Sequence, residues 1–233
     1  MTSADTITDS ERWPATVAEA EAVQDRLRGQ VDLSGPGPAR VVTVAGVDVA
    51  YDTDSDMVAG AVVVLDVHTL SAVAEATAIG RAQFPYVPGL LAFRELPPLL
   101  DAWKQLPTTI TPDLVVCDGY GVAHPRRFGL ACHLGILTGL PTIGVAKTAF
   151  IGDYDPPGPQ RGSWSPLVDG GEAIGRALRT RTGVKEVFVS VGHRIDLDSA
   201  CRHVLALTPR YRLPETTRVA DHASRRALRG VLG

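Results

Sequence analysis

Two aspartates interrupt apolar segments that are typical of buried strands. Asp48 lies within residues 44–50, and Asp118 ends the run 114–117 and is followed by glycine. A carboxylate in such a segment is costly to bury unless it is paired or binds a cation. Taken singly, Asp48 is more simply explained as a salt-bridged core residue, and Asp118 as a turn or helix-cap residue. Together on neighbouring core strands, with Glu95 on the intervening helix, they favour a metal site.

The chemistry of these candidate ligands favours Mg²⁺. Dispersed carboxylates supply hard oxygen ligands, whereas zinc prefers histidine and cysteine. One or two Mg²⁺ ions at such a site can activate a water and stabilise the leaving oxygen of a phosphodiester. His124, in the loop after Asp118, could move protons, and Lys147, after the strand-like residues 142–146, could neutralise a phosphate. In isolation, each of the two is also compatible with an ordinary surface polar residue.

A stiff aromatic loop is the other unusual local feature. In residues 84–90, Pro85 and Pro88 bracket Tyr86 and restrict the backbone on both sides of it. Proteins that act on bases use such side chains as wedges that unstack a base step. A tyrosine packed under a rigid loop explains the local sequence equally well, and both interpretations stay open on this segment alone.

The elements that position these residues follow from hydrophobic periodicity. A first helix is predicted at 16–29, where Thr16 and Glu19 have the spacing of a capping box and Val17, Ala20, Val23 and Leu27 share a face. Three Val- and Ala-rich strands separated by short links then predict an antiparallel meander at 41–51, 57–66 and 71–80. Later helices are predicted at 90–103, 126–139, 172–181, 196–207 and 220–232. Later strands are predicted at 113–118, 141–146 and 186–190. This order predicts one mixed sheet with helices on its faces.

Length and composition favour one domain over 1–233, with a helix and linker at 1–38 and a catalytic core at 41–221. The chain has 233 residues, 45% of them hydrophobic, which is enough to fold without disulfides. Its three cysteines show no metal-ligand spacing and are expected to be buried thiols in a reducing compartment. The polar start of the chain does not resemble a secretory signal, and no apolar run is long enough to span a membrane. We therefore expect a soluble, cytoplasmic protein.

Charge is unevenly distributed along the chain. The net charge is −3. Residues 161–233 carry 13 Lys and Arg against 7 Asp and Glu, whereas residues 1–160 carry 10 against 19. A basic C-terminal third could meet a phosphate backbone while the acidic remainder stays solvated, although ordinary solvated helix faces explain the same balance. Charge therefore permits a nucleic-acid partner without requiring one.

Four ordered blocks stand out in the sequence: AGVDVAY at 45–51, PYVPGLLAFRE at 85–95, DGYGVAHPRRFGLACHLG at 118–135 and GVAK at 144–147. Together they resemble the endonuclease V family, which acts at hypoxanthine (deaminated adenine) in nucleic acids. Weaker matches at 189–195 and 218–221 extend the resemblance over nearly the whole chain. Long ordered blocks of this kind are far more specific than a single glycine motif.

The resemblance implies an α/β fold of the RNase H-like type, with a three-stranded antiparallel meander, parallel strands and flanking helices. It implies that Asp48, Glu95 and Asp118 bind the metal. It also implies that His124 and Lys147 lie in the active site. Mg²⁺ is the expected cofactor, and Mn²⁺ is expected to substitute for it.

The resemblance also implies residues that bind the damaged base. Tyr86 would be the wedge beside the lesion, and Asp221 would be a further acid near the metal. Backbone groups of the glycine-rich segments around Gly89 and Gly119 would line the pocket for the flipped base, since glycine lets a backbone approach a ligand closely. The implied pocket residues are Pro85, Val87, Pro88, Gly89, Gly119 and Gly121.

The implied reaction is hydrolysis of the second phosphodiester bond 3′ to the lesion in DNA, leaving 3′-hydroxyl and 5′-phosphate ends. Alternatives are a nuclease for inosine-containing RNA or branched DNA, and a non-catalytic nucleic-acid-binding module. Two positions depart from the family pattern: Val191 stands where proline is common, and Ala149 stands where a basic residue is usual. The missing basic side chain is expected to weaken DNA affinity or alter its salt dependence. A monomer without membrane association is the default expectation, and no protein partner is indicated.

Overall fold

Valine- and alanine-rich segments of the chain form one mixed sheet of eight strands. The computed structural model describes residues 13–232. The strands are β1 (Thr43–Tyr51), β2 (Met57–Asp66), β3 (Ala72–Arg81), β4 (Leu114–Asp118), β5 (Thr142–Ala146), β6 (Trp164–Asp169), β7 (Glu172–Leu178) and β8 (Val187–His193). The helices are α1 (Val17–Arg28), α2 (Ala92–Trp103), α3 (Leu130–Thr138), α4 (Leu197–Ala206) and α5 (Glu215–Leu232).

The order of strands across the sheet is β3-β2-β1-β4-β5-β8-β7-β6. β1, β2 and β3 form the predicted antiparallel meander. β4 pairs parallel to β1, and β5 pairs parallel to β4. β8, β7 and β6 complete the sheet with antiparallel pairings. The expected RNase H-like mixed sheet is therefore confirmed, and it brings the carboxyl ends of β1, β4 and β5 to one edge.

Alternation along the strands divides the core into two layers. Val44 and Val116 belong to the cluster that packs with residues of α4 and α5. Ala45 and Val115, the neighbouring residues, belong to the cluster that packs with residues of α2 and α3. Successive side chains of a strand point to opposite faces, so the same strands support helices on both sides. The sheet edge that carries the candidate acids thus lies between the two helical layers.

Two strand glycines let helices approach the sheet more closely than a side chain would allow. A Cβ atom at Gly46 would overlap the carbonyl group of Thr216, in the first turn of α5. A Cβ atom at Gly60 would overlap the carbonyl group of Pro98 in α2. Because α2 carries Glu95 and α5 carries Asp221, these close approaches set how deeply the two acids lie over the sheet.

One predicted helix is wrong. Residues 172–181 were expected to be helical because glutamate, alanine, leucine and arginine favour helices. Residues Glu172–Leu178 instead form β7, paired with β8 and with β6, a strand that was not predicted. Gly170 and Gly171 join β6 to β7 with φ of 60° and 83°, the conformation that tight hairpin turns require. Pairing on both sides of β7 therefore outweighs its local preference for helix.

Two helix boundaries also differ from the prediction. α3 begins at Leu130 rather than at residue 126, because the preceding residues form a loop in which Arg127 has φ of 55°. α5 begins at Glu215 rather than at residue 220. All three cysteines are buried, as predicted. Across the described residues 13–232, no helix is both long and apolar enough to cross a membrane.

The buried imidazole of His133 on α3 should make the free energy of unfolding depend on pH. Its ring is buried among Trp13, Phe93 and Phe128, and its Nδ1 has no hydrogen-bond partner within residues 13–232. Burial lowers its pKa from 6.5 to about 3. Between these values the unfolded chain binds more protons than the folded protein, so stability falls as the pH is lowered through this window. We expect His133→Phe to reduce the slope of the free energy of unfolding against pH by up to about 1.4 kcal/mol per pH unit. Urea unfolding at several pH values measures this slope. Parallel curves for the two proteins would contradict the assignment.

Candidate active site

Asp48, within β1, and Asp118, at the carboxyl end of β4, lie side by side on two parallel strands. In the register of β1 and β4, Val47 pairs with Cys117, so the next residue of each strand is an aspartate. Glu95 comes from α2, and the charges of both aspartates act on its carboxyl group. The three acids that the sequence predicts as metal ligands therefore lie in one region, where their charges act on one another.

Each of these acids has a side-chain hydrogen-bond or ion-pair partner. The pairs are Ser224 Oγ with Asp48 Oδ2 at 2.7 Å, Tyr51 Oη with Glu95 Oε1 at 3.2 Å, and Lys147 Nζ with Asp118 Oδ2 at 2.6 Å. Ser224 and Tyr51 donate their hydroxyl protons, and Lys147 donates from its ammonium. Each of these bonds uses one of the two oxygens of a carboxylate, so a cation can share the group without displacing the partner.

Burial and mutual repulsion raise the pKa of two of the acids. Burial is the main cause that raises the pKa of Asp48 to about 6, the charges of Asp221 and Asp118 raise it further, and the hydrogen bond from Ser224 opposes them. Burial raises the pKa of Glu95 to about 8, and the charge of Asp48 adds to this. The site thus gathers more negative charge than it readily holds, a charge that a divalent cation would relieve.

The donor set fits Mg²⁺ rather than a metal that needs an enclosing protein cage. Within residues 13–232, no three or more His, Cys, Asp or Glu side chains lie close enough together to hold a metal ion by themselves. Mg²⁺ keeps several waters and is usually held by one or two carboxylates together with substrate phosphates. Carboxylate oxygens from Asp48, Glu95 and Asp118 supply ligands of that kind. The residues present therefore fit a Mg²⁺ ion that is shared with a substrate.

A cavity of about 210 Å³ adjoins Glu95 and Asp118. Its walls come from the loop before α2, the start of α2, the loop after β4, the start of α3 and the loop after β5. The lining residues are Tyr86, Val87, Pro88, Gly89, Leu91, Ala92, Glu95, Asp118, Gly119, Tyr120, His124, Gly129, Leu130 and Phe150. Apolar side chains with a few polar groups are typical of a small-molecule or base site. At the start of α2, the N–H groups of Phe93, Arg94 and Glu95 already donate to the carbonyl oxygens of Leu90 and Leu91.

Most of the predicted pocket residues line this cavity, and two do not. Pro85 lies outside the lining, and Gly121 packs beneath β8, where a Cβ atom would overlap the Val191 carbonyl. Tyr86 lies at the cavity with 71% of its surface exposed. The alternative that Tyr86 is packed beneath the loop is therefore wrong.

His124 is buried, and both of its ring nitrogens have backbone partners. Nε2 lies 2.9 Å from the carbonyl oxygen of Gly89 and donates to it, and Nδ1 accepts from the Arg126 N–H at 3.2 Å. Burial lowers the pKa of His124 to about 4, so the ring is neutral near pH 7. In this arrangement the imidazole joins the loop after β4 to the loop before α2.

Asp221 and Arg212 bring further charge to the site. Asp221 on α5 accepts a bond from Arg225 Nε at 2.7 Å, and its charge acts on Asp48, so it lies near that aspartate. Arg212 Nη2 donates to the carbonyl oxygens of Lys147 and Glu186, both at 2.7 Å. A guanidinium from the basic C-terminal third thus lies beside Lys147, although Ala149 lacks the basic side chain expected there.

Several residues of the site were not predicted. Ser224 lies three residues after Asp221 on a helix, so the helical period could have placed it on the same face. Tyr51, Tyr120 and Phe150 carry no local signal that separates them from ordinary aromatic residues. Tyr120 and Phe150 contact each other with ring centroids 5.2 Å apart, and both line the cavity.

Comparison with known proteins gives matches over nearly the whole chain. The endonuclease V family model matches residues 25–222. Endonuclease V of Streptomyces avermitilis is 65% identical over 218 residues, which cover 93% of this chain and 94% of that protein. A crystal structure of endonuclease V from the same organism has a TM-score of 0.91 at 64% identity, and the match covers 95% of this chain and 96% of that chain. A crystal structure of endonuclease V from Ciona intestinalis, in complex with a DNA containing an inosine followed by a ribo-adenosine, has a TM-score of 0.81 at 29% identity. That match covers 92% of this chain and 98% of the Ciona chain.

Proposed function

Because the chain belongs to the endonuclease V family, we propose that it is a nuclease that recognises deaminated bases, chiefly hypoxanthine in DNA. We propose further that it hydrolyses the second phosphodiester bond 3′ to the lesion and leaves 3′-hydroxyl and 5′-phosphate ends. The cavity beside Glu95 and Asp118 is the observation that carries this proposal, since a site for a base adjoins acids suited to phosphodiester chemistry. The inosine-containing DNA bound by the Ciona relative supports the choice of lesion.

The cavity can distinguish hypoxanthine from adenine by its backbone. Hypoxanthine presents a carbonyl oxygen where adenine presents an amino group. A backbone N–H of the cavity wall would donate to that oxygen, whereas the amino group of adenine is itself a donor and would leave such an N–H unpaired and buried. Gly89 and Gly119 allow close backbone approach to a flipped base, and the rings of Tyr120 and Phe150 offer apolar surface for it.

Asp48, Glu95 and Asp118 would hold Mg²⁺, which when bound would activate water and neutralise charge at the scissile phosphate. Lys147 would bind a phosphate oxygen with its ammonium, which already lies 2.6 Å from Asp118. Mn²⁺ also accepts carboxylate and water ligands and would substitute. Both nitrogens of His124 bind the backbone, so we assign His124 to holding the cavity wall rather than to proton transfer.

Tyr86→Ala is expected to lower selectivity for the lesion without unfolding the protein. If Tyr86 is a wedge that holds the base step open, its loss should reduce the ratio of nicking rates on inosine and adenosine duplexes by about tenfold or more. Because the side chain is 71% exposed, the free energy of unfolding should change by less than about 0.5 kcal/mol. Single-turnover nicking and urea unfolding measure the two quantities.

Tyr86→Phe is the matched control, since it keeps the ring and removes only the hydroxyl. We expect it to retain most of the selectivity. An unchanged selectivity ratio in Tyr86→Ala would show that the side chain is not a wedge.

The proposed function is tested by nicking assays on matched strands that contain inosine in DNA, inosine in RNA, or no lesion, each with Mg²⁺ and with EDTA. The proposal requires nicking of inosine DNA with Mg²⁺ and none with EDTA. Faster nicking of inosine RNA would assign the chain to RNA instead. Tight binding of inosine DNA without product over hours would identify a non-catalytic binding module.

A further inference from the structure

The N-terminal helix places a buried amide against two walls of the cavity. Gln24 of α1 is 1% exposed, and it occupies the inner face of the helix with Ala20 and Leu27. The sequence pattern had assigned this face partly to Val17, which is exposed in the structure. A primary amide is costly to bury unless its polar groups find partners, so an inward glutamine at this position requires an explanation.

The two hydrogens of the Gln24 amide have separate partners. Nε2 donates to the carbonyl oxygen of Gly89 at 2.9 Å and to that of Phe128 at 3.1 Å. Gly89 belongs to the wall before α2, and Phe128 directly precedes Gly129 and Leu130 in the wall at the start of α3. One NH₂ group therefore joins two walls that come from distant parts of the sequence.

The two carbonyl partners determine which way the Gln24 amide is turned. A flipped amide would direct Oε1 at two carbonyl oxygens, an arrangement without a proton to share. Oε1 itself is buried and has no hydrogen-bond partner within the described residues. An apolar side chain would avoid that cost, so the retained amide is best explained by the need for its two donors.

The Gly89 carbonyl is held from two directions. Gln24 Nε2 and His124 Nε2 each donate to this oxygen at 2.9 Å. Gly89 has φ of 86°, a backbone conformation that favours glycine, so the two donors fix a peptide that could otherwise rotate. The orientation of this peptide decides which backbone groups face the cavity.

We propose that Gln24 is a positioning residue for base recognition: its amide fixes the spacing between the Gly89 and Phe128 walls, and thereby the fit of a deaminated purine. The inference rests on the proposed function for the identity of the ligand. The contacts themselves do not depend on that function. The hydrogen bonds of the Gln24 amide go to Gly89 and Phe128 in the cavity walls, so its effect should fall on recognition rather than on the chemical step.

The test compares Gln24→Met, which keeps a similar volume but removes both donors, with Gln30→Met, the same change at an exposed position just beyond α1. Hydrogen–deuterium exchange of segments 86–91 and 126–131 is measured first. We expect Gln24→Met to speed exchange in both segments by about tenfold or more while β1 and β4 stay protected, and Gln30→Met to leave both segments unchanged.

Kinetics on inosine DNA form the second arm. We expect Gln24→Met to raise the KM for inosine DNA by about tenfold, with kcat changed less than about threefold, whereas a merely structural defect would lower the active fraction and hence kcat. Unchanged exchange in both wall segments would overturn the proposal whatever the enzyme does. A fall in kcat at constant KM would also overturn it. Faster wall exchange together with a wild-type protein that does not nick inosine DNA would refute the proposed function alone.

Discussion

Asp118→Asn is expected to lower the rate of Mg²⁺-dependent nicking at inosine by about a hundredfold or more. The change keeps the shape of the side chain but removes a negative charge at the carboxyl end of β4, next to Asp48 and 2.6 Å from Lys147. A site that acts through preorganised charge and a bound metal loses catalysis of this order when one such group is removed. Single-turnover nicking at saturating protein measures the effect.

Binding and folding should survive the Asp118→Asn change. The side chain is partly exposed, and the cavity walls other than this residue are untouched, so inosine DNA should still bind in the absence of turnover. Asp101→Asn is the matched control, because Asp101 is an exposed aspartate of α2 paired with Lys104. Nicking by Asp118→Asn at the wild-type rate would show that Asp118 does not bind the metal.

Gly46→Ala is expected to cost about 3 kcal/mol or more of the free energy of unfolding. The new Cβ would overlap the backbone of Thr216, so no side-chain rotation can make room for it. Ordinary overpacking in a core costs about 1–3 kcal/mol, and a backbone contact should lie at or above the top of that range. The first turn of α5 would have to move away from β1, and it would carry Ser224 and Asp221 away from Asp48. Urea unfolding measures the loss, and nicking by the folded fraction should fall with it.

Gly80→Ala is the matched control for this change. Gly80 is also a strand glycine, but its Cβ would lie 3.9 Å from Val58, an ordinary van der Waals contact. We expect this variant to differ from the wild type by less than about 1 kcal/mol. Equal stability of Gly46→Ala and Gly80→Ala would mean that α5 does not pack on β1 as closely as described.

The sequence predicts those features that are visible in the residue pattern of a short segment. Alternating and continuous apolar runs located most of the strands, and a carboxylate inside two of them pointed to Asp48 and Asp118. No such pattern distinguishes Glu95, because it lies on an amphipathic helix, where acidic residues are common. Its assignment depended on the family resemblance, and in the structure the charges of both aspartates act on its carboxyl group.

Long-range contacts could not be predicted in the same way. Ser224 donates a hydrogen bond to Asp48, 176 residues away in the sequence, and Gln24 donates one to Phe128, 104 residues away. Strand β7 was mistaken for a helix because pairing with β6 and β8, rather than residue preference, determines its conformation. The Gly170-Gly171 pair was the available signal, since two glycines between short segments indicate a hairpin.

Mapping the product ends of the wild-type reaction tests the central claim most directly. A duplex with one deoxyinosine, labelled at either end of the lesion strand, is incubated with the protein and Mg²⁺ beside an adenosine duplex and an EDTA control. We expect one cut, at the second phosphodiester 3′ to the lesion, with a 3′-hydroxyl and a 5′-phosphate that a ligase can rejoin. Equal cutting of the adenosine strand, cutting in EDTA, or an abasic product would contradict a metal-dependent nuclease that reads the base in the cavity beside Glu95 and Asp118.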